Sequence, residues 1–89
     1  MTESDYLYEL DKTTQEVLHI ILDWQKDHPR EGGGELAVTE GTIELPANPV
    51  SLPQLQRIRR QFISLNRQHN LPKNRIRGAF VEYLNDNFG

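Results

Sequence analysis

Cysteine is missing from this sequence altogether. Its absence excludes disulfides, thiolate zinc sites and a cysteine nucleophile, and it suits a reducing, cytoplasmic compartment. Serine is scarce, at Ser4, Ser51 and Ser64, and the histidines His19, His28 and His69 form no His-x-x-x-His pair. No apolar run approaches the ~20 residues that a membrane-crossing helix needs. Residues 1–8 hold Glu3 and Asp5, no base and no apolar run, so they do not read as a secretory signal. The most telling absence is of negative charge over residues 46–81, where no Asp or Glu occurs.

What remains in that stretch is basic: Arg57, Arg59, Arg60, Arg67, Lys73, Arg75 and Arg77, a balance of +7. Residues 1–45 hold eleven acids against Lys12, Lys26 and Arg30, a balance of −8, and Glu82 and Asp86 bring the total to −3. Charge segregated in this way implies an electrostatic partner, inside the molecule or outside it. With 89 residues, of which 36% are hydrophobic, there is room for one domain (1–89) with a lean core. A core that small would gain from a partner or from homodimerisation.

The spacing of apolar residues sets the expected layout. Leu7, Leu10, Thr14, Val17, Ile21 and Trp24 step by three and four, which predicts a helix over 5–27. Thr2 or Ser4 suits its start, and Pro29 stops it. Glu9, Glu16 and Asp23 recur along one edge and read as a solvated acidic face. Residues 30–34 form a glycine-rich joint; no Gly-Lys-Ser/Thr follows the glycines, so a phosphate loop is rejected. Residues 35–45 predict a β-hairpin turning at Glu40-Gly41, with Val38 opposite Ile43 and Leu36 opposite Leu45. Ser51-Leu-Pro-Gln54 resembles a capping box and opens a helix over 51–69, with Leu55, Ile58, Phe62, Leu65 and His69 inward. After the break Asn70-Leu-Pro72, a third helix covers 72–87 with Ile76, Ala79, Phe80, Tyr83 and Leu84 inward. The fold class expected is α+β, mostly α: a three-helix domain with one β-hairpin inserted between helix 1 and helix 2.

One local pattern occurs twice. Arg57-Ile-Arg-x-x-Phe62-Ile63 in the second helix returns as Arg75-Ile-Arg-x-x-Phe80-Val81 in the third. Two copies are too few to define a repeat architecture.

No nucleophile–base–orienter set can be assembled from these residues, so the expectation is a protein that is not an enzyme and holds no cofactor or metal. The third helix carries Lys73, Arg75 and Arg77 at its start and Glu82 and Asp86 toward its end, the reverse of what the helix dipole favours. An anion such as a DNA or RNA phosphate at that start would relieve the mismatch. A helix, a tight break and a basic helix share the outline of helix-turn-helix binding, although the break lacks glycine and the hairpin comes first. The leading expectation is therefore a nucleic-acid-binding or regulatory accessory protein. Arg57, Arg60, Arg67, Lys73, Asn74, Arg75 and Arg77 would form its contact surface. The arginines of the second helix would neutralise phosphates, and Asn74 with Arg77 would read base edges. The alternative is a protein-interaction module or small inhibitor using the acidic amphipathic first helix and the hairpin.

Overall fold

A computed structural model describes residues 2–28 and 34–88. Its elements run α1 (Glu3–Asp27), β1 (Gly34–Val38), β2 (Gly41–Leu45), α2 (Leu52–Asn66) and α3 (Lys73–Phe88). The expected class holds, with three helices and an antiparallel hairpin between α1 and α2. The glycine-rich joint predicted at 30–34 lies outside the described residues except for Gly34, the first residue of β1.

α1 begins at a reciprocal cap. The Thr2 hydroxyl accepts from the Asp5 amide, and the Asp5 carboxylate accepts from the Thr2 amide. Hydrogen bonding to the carboxyl from the Thr2 side chain and from the Thr2 backbone amide holds Asp5 below its ordinary value. The predicted stripe forms the core face: Leu10, Thr14, Val17 and Ile21 are fully buried, while Leu7 and Trp24 pack against the core from its rim. Tyr6 and Leu18 are buried beside them.

α1 packs along both α2 and α3, and β2 lies against α3. Phe62 of α2 meets Phe80 of α3 at a ring separation of 5.0 Å, tilted by 53°. The Tyr6 hydroxyl donates to the Asn66 carbonyl at 2.6 Å, so the start of α1 satisfies the end of α2. Two carboxamides bind backbone in the same two-handed way. Gln25 accepts from the Val50 amide at 2.7 Å and donates to its carbonyl at 3.0 Å, tying the connector before α2 to α1. Asn85 of α3 accepts from the Glu44 amide and donates to the Thr42 carbonyl, both at 2.9 Å.

The hairpin corrects the expected register. Leu36 pairs with Ile43, Val38 with Gly41 and Gly34 with Leu45, and the turn is Thr39-Glu40. The shift is by two residues, so the inward face keeps Leu36, Val38, Ile43 and Leu45. Gly41 does not use a positive φ; among the described residues only Gly34 and Asn70 have one. Gly41 instead pairs within the ladder over Val81, and the turn sits on α3 with Glu40 beside Gly78. In this register β2 docks on α3, and no positive φ is needed at Gly41.

α2 ends at Asn66, three residues short of the expected end at His69. Ser51 caps it by accepting from the Gln54 amide at 3.3 Å. Leu65, expected in the core, is 59% exposed, and His69 is exposed in the turn that follows. Both lie where α2 runs out and no neighbour covers them. Ile63, which lies off the main apolar stripe of α2, is half-buried against the core.

Candidate nucleic-acid interface

The basic stretch divides by the direction each side chain takes. Arg59 points inward to α1. Its Nε donates to the Thr14 hydroxyl at 2.9 Å, and a terminal nitrogen donates to the Asp11 carbonyl at 3.1 Å and to the Asp11 carboxylate. Thr14, fully buried, completes its own bonding by donating to the Leu10 carbonyl at 2.7 Å. A polar residue on the core stripe of α1 is thus matched to an arginine arriving from α2.

At the start of α3 two of the three bases also find acids. Lys73 lies 3.6 Å from Glu9. Arg77, with 28% of its side chain exposed, donates to Glu16 at 3.0 Å and lies 3.7 Å from Glu40 of the hairpin turn. The acidic edge predicted to be solvated is therefore in part an internal partner: Glu9 and Glu16 meet α3, while Asp23 is exposed. Such partly exposed pairs add about 0–1 kcal/mol each and serve mainly to orient the helices.

The other predicted contact residues face outward. Arg57, Arg60 and Arg67 are exposed on α2 and the turn after it, and Asn74 and Arg75 are exposed on the first turn of α3. Among the described residues none of these four arginines has an acid within ion-pair distance. They form separate groups. Arg57 and Arg60 flank a shallow depression with Gln61, Ser64, Leu65 and Tyr83. Arg67 borders a second with Tyr6 and Asn70. Asn74 and Arg75 line a groove between α3 and the hairpin, together with Glu82 of α3 and with Glu40 and Thr42 of the hairpin.

Sequence periodicity did not distinguish Leu65 and Tyr83 as surface residues. Leu65 has the spacing of a core residue, and only the end of α2 one residue later explains its exposure. Tyr83 packs its ring on Phe62 at 5.6 Å and turns its hydroxyl to Gln61 at 3.4 Å, so one edge stays on the surface. Among the described residues no group of three or more His, Asp or Glu side chains could hold a metal ion. No helix described is long and apolar enough to cross a membrane.

No solved structure matches this chain. Curated relatives do, among them the following three. The fission yeast (Schizosaccharomyces pombe) protein kti12 is 48% identical over 97% of this chain and 30% of its own length. The Arabidopsis thaliana KTI12 homolog is 36% identical over 99% of this chain and 31% of its own. The human KTI12 homolog is 32% identical over 94% of this chain and 24% of its own. The chain thus spans about a third or less of the length of these relatives. The family profile of chromatin associated protein KTI12 matches residues 1–85, and the chain belongs to that family.

Proposed function

We propose that this chain is a non-catalytic nucleic-acid-binding domain with a regulatory or accessory role. The observation that carries the proposal is the outward set of arginines, Arg57, Arg60, Arg67 and Arg75. They lack acidic partners among the described residues, although the same chain offers acids to Arg59, Lys73 and Arg77. Guanidinium groups held on rigid helices and free of internal partners are suited to phosphate oxygens. Asn74, exposed beside Arg75, is suited to a base edge. Arg77 would have to leave Glu16 and Glu40 to join them, so Asn74 and Arg75 lead in this reading. A family described as chromatin associated is compatible with it.

The test is fluorescence anisotropy with labelled DNA and RNA of mixed sequence. With four phosphate contacts, raising salt from 50 to 200 mM would weaken binding about a hundredfold. Arg57→Glu with Arg60→Glu should lose at least about tenfold in affinity while leaving the thermal midpoint unchanged. Binding that ignores both salt and these substitutions would remove the proposal.

A further inference from the structure

The two edges of the hairpin are treated differently. On β2 the outward amide of Glu44 and the outward carbonyl of Thr42 are both bonded by the Asn85 carboxamide, which occupies the place of a neighbouring strand. In an antiparallel pair, residues opposite one another direct their backbone groups the same way, both inward or both outward. Glu44 pairs with Glu35 and Thr42 with Ala37. The amides and carbonyls of Glu35 and Ala37 therefore point outward from β1, and among the described residues they have no hydrogen-bond partner. Both residues are exposed.

The charge on this edge is also unbalanced. Glu35 and Glu44 sit directly opposite one another on the solvent face, at a position where α-carbons approach to about 4.5 Å. Like charges placed so are destabilising. Nothing in the hairpin offsets them: Ala37 and Thr42 are their neighbours on that face, and the nearby Glu40 is itself acidic.

We infer that the open edge of β1 accepts an extended, lysine- or arginine-bearing segment of a separate protein, which adds a third strand and sets a basic residue opposite Glu35. Backbone bonds to Glu35 and Ala37 hold the segment in place, and its cation relieves the Glu35–Glu44 repulsion. A second copy of this chain does not suit the place. Antiparallel pairing of two β1 strands would gather both copies of Glu35 and Glu44, and the chain's own basic residues from 57 to 77 lie on α2, on α3 or in the turn joining them. The apolar stripe of α1 is buried against α2 and α3, so of the two surfaces expected to meet a protein partner the hairpin is the one left open.

The probe is a short synthetic peptide alternating lysine and valine, titrated into the isotope-labelled 89-residue chain and followed by NMR. The amides of Glu35 and Ala37 should shift together and exchange more slowly with solvent. A twin peptide, N-methylated where it would bond β1, should bind at least about tenfold more weakly, because the backbone bonds are lost while the charge is kept. Replacing Glu35 and Glu44 together by lysine should weaken the unmodified peptide to a similar degree, and Ala37→Pro should do so without breaking the β1–β2 ladder. Equal binding of the two peptides, shifts confined to the acids of α1, or no binding at millimolar peptide would each overturn the inference. Nucleic-acid affinity rests on other residues and is measured separately, so either proposal can fail alone.

Discussion

The same seven-residue pattern sits in two helices, and the two copies can be compared position by position. In α2 it reads Arg57-Ile58-Arg59-x-x-Phe62-Ile63, and in α3 Arg75-Ile76-Arg77-x-x-Phe80-Val81. The isoleucines are both buried, and the phenylalanines are both buried against each other. The second arginine of each copy turns to an acid of α1, Asp11 for Arg59 and Glu16 for Arg77. The first arginine of each faces solvent. The copies part at the last position, where Val81 is 3% exposed beneath the hairpin and Ile63 is only half-covered. Local pattern sets direction, and the neighbour decides burial. The hairpin covers α3 and leaves the matching surface of α2 open, beside Leu65 and the outward arginines.

The deepest way to break the comparison is at the aromatic pair. Phe62→Ala and Phe80→Ala should each cost about 3–5 kcal/mol, a large share of the stability of a small domain. Phe62→Ala also removes the ring contact with Tyr83. Urea denaturation followed by circular dichroism measures both, and a loss below about 1 kcal/mol in either would mean the two helices do not share this core. A smaller, sharper contrast lies at the last position. Val81→Ala should cost about 2 kcal/mol and Ile63→Ala about half of that, although isoleucine loses more atoms. The reverse order would show that the hairpin does not cover α3 in solution.

How much of this was legible beforehand follows from what each signal encodes. Spacing of three and four placed the helices and most of the core, because a helical stripe must face its neighbours. Alternation placed the hairpin and its inward face. It could not choose between registers two residues apart, since both keep the same parity. In the observed register the turn lies on α3, with Glu40 beside Gly78 and Gly41 over Val81, and those neighbours are facts about α3 and not about the strands. Tyr6 was passed over because its partner, the Asn66 carbonyl, is sixty residues away in sequence. Charge counts singled out the basic stretch, yet they could not separate Arg59 and Arg77 from Arg57 and Arg75, because that distinction is set by where α1 crosses.

The two inward arginines should also differ from each other. Arg59 is the more buried, with 12% of its side chain exposed against 28% for Arg77. It also supplies the second hydrogen bond to a fully buried hydroxyl. Arg59→Ala should therefore cost about 1–3 kcal/mol. The exposed carboxylate of Asp11 is left in water and adds little to that loss. Arg77→Ala should cost no more than about 1 kcal/mol, and less in high salt. Thermal melts at low and high salt would separate the two; equal costs with equal salt dependence would mean that burial does not distinguish them.

The starts of α2 and α3 offer the finest contrast, because there one kind of substitution should have opposite signs. Ser51 caps α2, and Gln54 stands at its third position with no acid in the first turn. Gln54→Glu places a carboxylate near the positive end of the dipole and lets it reach back to the Ser51 amide. The expected gain is a few tenths of a kcal/mol, up to about 1. Lys73→Glu makes the same dipole correction in α3, but Glu9 lies 3.6 Å from the lysine it replaces, with only 14% of its side chain exposed. Two carboxylates at that separation repel by more than the dipole returns, so this substitution should destabilise. The bases at the start of α3, against the dipole's preference, are in this respect held there by α1. If Lys73→Glu were as stabilising as Gln54→Glu, the link between α1 and the start of α3 would carry no weight, and a bound anion would be the better account of why those bases are there.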